Sequence, residues 1–330
     1  MAADAGSLRA LLVAALLLMA GTAIGAQPAP GEPTERSATA CHPAALAAMQ
    51  RRTQVAAYYD LKLALVSGKV FEWRTGQPPR LVLPGAVQVA VAQSTAYAID
   101  GHNRLIGWSA GSDHHEVLLD DTVWVAAGDT GLLAIRCDGS LWRRAAPGTA
   151  WAREAAAAVH GWVGDGADYY IDASAALFVR GKAHRGQYGD GKLAEAPGWT
   201  RVANDALAVV AHTGHALYLR RDGTVLGTGG NRFGPLGAHG YGDKADAWGA
   251  IFGGATQIAT GSRHSLAIRR DGSLWVWGAD EGLLPKRVLA KVVAAAGGLD
   301  DSVALTTDGA VWTWALGHAP VRLVLPPAGR

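Results

Sequence analysis

The feature that most limits what this chain can fold into is a repeat. The stretch Ile258–Gly278, IATGSRHSLAIRRDGSLWVWG, has close copies at Val209–Gly230 (VVAHTGHALYLRRDGTVLGTGG) and in the run AAAGGLDDSVALTTDGAVWTWA that ends at Ala315. Weaker copies end at Arg74, Trp108 and Arg144, and the most diverged, VHGWVGDGADYYIDASAALFVRG, ends at Gly181. Seven units result. Turn glycines at Gly68, Gly139, Gly223, Gly272 and Gly309 space them at a period that suits four short strands per unit.

Within the best copy, His264, Leu266 and Ile268 alternate with Ser265 and Ala267. After Asp271-Gly272, Leu274 and Val276 alternate with Trp275 and Trp277, so the unit is a hairpin of period two. Both faces are apolar or small, whereas a sheet wetted on one side shows polar residues at every other position. Each sheet therefore needs two covers, and radial stacking around an axis supplies them. The 43 Gly and 12 Trp against only 4 Phe agree, since tight turns then alternate with wide, flat side chains between sheets. The expectation is an all-β, seven-bladed β-propeller with four-stranded antiparallel blades. The tail Ala319–Pro327, APVRLVLPP, echoes Pro78–Gly85, PPRLVLPG. That echo predicts a first blade closed by the C-terminal strand, which would remove free sheet edges.

Outside the repeats, Leu8–Ala26 is an apolar run with one Arg and small residues at its end, the pattern of a secretory signal, so residues 1–26 are expected to be cleaved. Residues 27–52 follow as a Pro- and Ala-rich tether with one short helix starting after Pro43, and the propeller occupies 53–327. A periplasmic or secreted location follows from the signal, with no membrane span after cleavage. Cys41 and Cys137 are the only cysteines; in an oxidising compartment the even pair invites a disulfide, and two separate thiols is the other reading. A net charge of +2 is too small to hold nucleic acid by counterion release.

With GxxHSLAxxxDGxxWxWG laid out, the chain resembles the regulator-of-chromosome-condensation repeat family of seven-bladed propellers over about Thr53 to Pro327. Gly181–Gly191, GKAHRGQYGDG, and Gly229–Asp243, GGNRFGPLGAHGYGD, are similar to the loop that follows the third strand in that family. Most other units lack that loop. In this compactness and its expected export, the chain looks more like secreted bacterial members such as beta-lactamase inhibitor protein II than like the nuclear exchange factor. The resemblance implies the fold and leaves the partner to analogy.

The repeats contain no phosphate-cradling GxxxxGK[ST], no GxSxG elbow and no HExxH pair, so the residues support neither an enzyme nor a cofactor. His215 and His264 share one repeat position and read as structural hydrogen-bonding groups. Asp113, His114, His115 and Glu116 are dense in metal-ligating types, yet neighbours on a strand point to opposite faces, and a solvated loop is the plainer reading. Asp165, Asp168 and Asp172 lack the ordered ligand spacing of a calcium loop. The loop before each HSLA-type strand and the loop after each WxWG-type strand share one rim. That rim gathers Tyr58, Tyr59, Trp162, Arg185, Tyr188, Arg232, Phe233 and Tyr241, and aromatics mixed with Arg are the usual anchors of protein interfaces. The expected function is an exported, non-catalytic scaffold for a protein partner, an inhibitor or assembly partner of an extracytoplasmic enzyme, with a lectin-like propeller binding cell-envelope glycan as the alternative.

Overall fold

The computed structural model describes residues 41–327, apart from 51, 53, 183, 193, 194 and 240–242. The expected signal at 1–26 lies outside the described residues. Seven four-stranded antiparallel sheets follow one another along the chain at 55–84, 86–119, 122–155, 158–203, 206–252, 255–289 and 292–322. In each blade the first strand is innermost, and these strands line an axial cavity of about 590 Å³. Their runs Val89-Ala90-Val91, Val125-Ala126-Ala127 and Val293–Ala296 are small enough for seven strands to converge. The strand beside the inner one is covered on both faces, as in Asp301–Thr306, which is buried throughout. Between the sixth and seventh blades, Leu266, Ile268, Leu274 and Val276 pack on Val292, Ala304 and Trp314. Each such large side chain contributes about 1.5–3 kcal/mol by leaving water.

The tail strand does not close the first blade. Arg80–Pro84 already supplies that blade's outer strand, pairing Val70 with Leu83. Val321–Arg322 instead pairs with Trp312 and Thr313 as the outer strand of the seventh blade. The echo between the two segments is one of repeat phase: both are the fourth strand of their own unit.

The ring is closed by side chains. His215 Nε2 lies 3.5 Å from Ser265 Oγ of the next blade, and His264 Nε2 lies 2.8 Å from Ser302 Oγ of the one after. At the seam the same two repeat positions hold Asp301 and Lys62, whose charged atoms are 2.6 Å apart and nearly sealed from water. Thr75 Oγ1 donates to the same carboxylate at 2.7 Å. Val55, Ala64 and Trp73 of the first blade pack on Val303, Leu305 and Val311 of the seventh. A contact used between internal blades thus recurs at the seam with an ion pair in place of His and Ser.

The helix expected after Pro43 spans Pro43–Met49. Pro43 stands at its first position, where no amide is needed, and the Ala44 N–H donates to His42 Nδ1. Ala45 and Ala48 are buried against the third and fourth blades. Cys41 and Cys137 form a disulfide, which resolves the open reading of the two cysteines and ties this segment to the Asp-Gly turn of the third blade. Arg52 then donates to the Val123 carbonyl and to Asn103 Oδ1, and Gln50 and Arg52 border the axial cavity. Among the described residues no helix is long and apolar enough to cross a membrane.

Candidate functional site

Strand alternation in a blade sends the turn after the first strand and the connection after the third strand to one rim. The Asp-Gly turns go to the other. On the first rim, residues from several blades enclose a groove of about 520 Å³ that includes Tyr59, Arg185, Arg232, Phe233, Arg263 and Leu299. Tyr59 sits at a turn with φ of 48°, a left-handed conformation that lifts its ring out of the sheet; it is 38% exposed. Phe233 is 45% exposed, with the Arg232 and Arg263 guanidinium carbons 5.8 and 5.1 Å from its ring centre. Arg263 also pairs with Asp300. Arg185 lies over Gly214, where φ is +89° and a Cβ would stand 2.6 Å from the arginine Cδ. Arg185 and Arg232 make no ion pair among the described residues, so the groove keeps a positive surplus.

Behind the groove, Tyr58 is buried and stacks on His212 with ring centres 4.9 Å apart, while Tyr59 meets His212 edge-on. Burial, a hydrogen bond to Asp129 and its charge raise the Tyr58 phenol far above its usual range, so it stays protonated. His212 Nδ1 lies 2.7 Å from Thr213 Oγ1, and burial holds its pKa down to about 4 despite Asp129. Burial and neighbouring His212 also hold His215 and His264 down to about 3, so all three rings are neutral. They serve as hydrogen-bonding struts between blades.

Of the eight residues expected on this rim, four meet in the groove: Tyr59, Arg185, Arg232 and Phe233. Tyr58 supports it from below. Trp162 is half-buried and donates to the Ala211 carbonyl at the cavity wall. Tyr188 departs from the expectation: it is sealed between the fourth and fifth blades, its hydroxyl donating to the Gly181 carbonyl. Tyr241 lies outside the described residues. Sequence reasoning missed Arg263 and Leu299. Both occupy turns equivalent to that of Tyr59, and Arg263 directly precedes the repeat histidine, so the repeat register itself carried the signal.

The metal-like clusters disperse. Asp113 pairs with Arg80, and His115 meets Trp108 edge-on. Asp168 binds Thr130 and Arg143, Asp172 caps its own turn through Ser174, and Asp165 is exposed. Among the described residues no group of three or more His, Cys, Asp or Glu is placed to hold a metal ion.

Comparison with known proteins follows the repeat. Residues 255–281 match the family model of the regulator of chromosome condensation (RCC1) repeat. Yeast RCC1 (Prp20), solved bound to Kap60, is similar in structure with a TM-score of 0.66 at 16% identity, covering 75% of this chain and 78% of that one. Human WBSCR16 gives 0.63 at 15% identity, covering 76% and 84%. The CRINKLY WD40 ectodomain of the Arabidopsis thaliana receptor kinase ACR4 gives 0.56 at 14%, covering 83% and 98%. No curated protein matches the sequence significantly. At these identities the likeness speaks for the fold.

Proposed function

We propose, from the premise that this chain is an RCC1-like seven-bladed β-propeller, that it is an exported, non-catalytic scaffold binding a protein partner at the groove of Tyr59, Arg185, Arg232 and Phe233. One observation carries the reading: a half-exposed phenylalanine flanked by two arginines in a concave, cation-rich surface. A large apolar face among guanidinium groups is what an interface anchor looks like before its partner arrives. The complementary surface presents an acidic side chain beside an apolar one. A similar yeast propeller is known in complex with Kap60 and has been studied for binding to Gsp1p and histones, which supports protein recognition by this architecture. The apolar leader and the disulfide support an extracytoplasmic setting, and an enzyme there, held or inhibited, suits the groove.

Affinity capture with the disulfide-bonded protein followed by titration of the captured partner tests this. Phe233→Ala and Arg232→Ala should each weaken binding by about tenfold or more, with unchanged melting temperature. Partner binding that ignores both substitutions would remove the groove from the interface. A glycan array that returns a sugar ligand while capture returns no protein would replace this reading with a lectin-like one.

A further inference from the structure

A second concave site lies elsewhere on the same rim, between the second and third blades, with a volume of about 520 Å³. Its origin is visible in the repeat register. The third strand of every blade places one residue toward the following blade: Glu72, Gly107, Arg143, Val179, Gly227, Val276 and Thr313 in order. Where that residue is large it fills the space. Glu72 accepts from Trp108 Nε1 of the second blade, and Arg143 pairs with Asp168 of the fourth.

Only the second and fifth blades have glycine there. In the fifth, the family loop folds back and seats Leu236, fully buried, where a Cβ on Gly227 would meet its methyl at 2.7 Å. The carbonyl of Pro235 then accepts from Ser265 and Trp277 of the sixth blade. The second blade repeats the frame. Gly107 pairs with Tyr97 as Gly227 pairs with Leu217, and Leu118 touches Gly107 as Ile251 touches Gly227. Its connection after the third strand, residues 110–115, is short; Ser112 and His114 border the hollow, which stays open to the rim. Gly131 and Leu132 of the third blade form the facing wall, and at the lip Arg144 Nε is buried with no hydrogen-bond partner.

We infer that this cleft is a socket for an apolar side chain, leucine or aromatic, carried on a loop of a partner protein, which completes in trans the packing that Leu236 completes in cis. The chain's own fifth blade shows the occupant's chemistry: a leucine followed by glycine and preceded by a proline whose carbonyl the next blade binds. Arg144 is placed to take that carbonyl. The inference rests on the protein-binding reading but not on the groove at Phe233.

The probe is a head-to-tail cyclised peptide of residues 230–238, GNRFGPLGA, added to the whole disulfide-bonded protein, with amide resonances of Gly107 and Gly131 followed by NMR. Saturable shifts at both glycines are expected, about tenfold or more weaker with the Leu236→Ala peptide. They should vanish in Ser109→Trp, which covers the exposed lip, and in Leu132→Trp, which fills the socket wall. Equal binding of the two peptides, shifts confined to other parts of the ring, or leucine-dependent binding that survives Ser109→Trp would overturn the socket. Phe233→Ala in the protein should leave the peptide response unchanged, so a failure of the groove and a failure of the socket are told apart.

Discussion

The two rims of this ring are made from the same seven repeats and have opposite characters. On the Asp-Gly rim each turn satisfies itself: Asp138 binds Ser140, Asp271 binds Ser273, Asp222 binds the Thr224 amide and Asp308 binds Thr306. The N-terminal helix and disulfide reinforce that rim from outside. On the opposite rim the connections differ in length from blade to blade, two arginines make no ion pair among the described residues, and two hollows open. Where the repeat is kept, the turn aspartates are satisfied within their own turns; where it is broken, arginines with no ion pair among the described residues are left for something else.

Three changes test how separate the rims are, and the disulfide has the largest expected effect. Replacing Cys41 and Cys137 with Ser frees a 96-residue loop and should remove about 4–5 kcal/mol by urea unfolding. Partner affinity at the Phe233 groove should not move; if it falls in parallel, the rims are coupled. Next is the seam, whose charged groups lie toward the open rim. Asp301→Ala strands the buried Lys62 ammonium and should cost about 3–5 kcal/mol, whereas Asp301→Leu combined with Lys62→Met should recover most of it. A double variant as weak as the single would show that the ion pair does more than satisfy its own burial.

Acid gives the sharpest contrast, and the share of any one histidine in it is the smallest of the three effects. His212, His215 and His264 have folded pKa values of about 4, 3 and 3, below the unfolded 6.5, because burial disfavours their charged forms. The unfolded chain therefore takes up protons first. Their contribution is complete above pH 6.5 and declines as pH falls toward 4, by about 1 kcal/mol per histidine over the first unit. The carboxyls of Asp222, Asp271 and Asp308 are held below the usual 3.8, first by the Thr224 amide, the Ser273 hydroxyl and the Thr306 hydroxyl respectively. They keep their charge through that window and yield only below it. Melting temperature should thus drop between pH 6.5 and 5, and His264→Gln should flatten the slope. A drop that His264→Gln leaves unchanged would place the sensitivity elsewhere.

Much of the fold was legible because a buried hairpin covered on both sides must alternate, and alternation survives sequence drift better than identity does. Seven units, two-faced sheets and the rim shared by Tyr59 and Phe233 all followed from that. The tail was misassigned because similarity between 78–85 and 319–327 marks the same phase of the repeat, and phase alone does not say which sheet a strand joins. Tyr188 was taken for a surface residue because it shares a loop with Arg185. The loops align as Arg-Gly-Gln-Tyr-Gly and Phe-Gly-Pro-Leu-Gly, so Tyr188 corresponds to buried Leu236, and Arg185 to exposed Phe233. Left-handed glycines at 186, 189, 234 and 237 turn the fourth residue inward in both. The socket beside Gly107 is harder to read, since it depends on a glycine in one blade facing a connection too short to fill it.

Every sheet here is spun from one unbroken run of chain, and no strand is lent from one end of the polypeptide to the other among the described residues. Duplication or loss of a whole unit would therefore leave every remaining sheet complete, with only the meeting of Asp301 and Lys62 to be renegotiated. By the same logic the seam between the first and seventh blades holds no privileged place in the circle. Linking the last strand of the seventh blade to the first strand of the first and reopening the chain at the crossover between the fifth and sixth blades should give a protein of the same architecture, in which the His215–Ser265 contact takes over as the point where the circle meets itself.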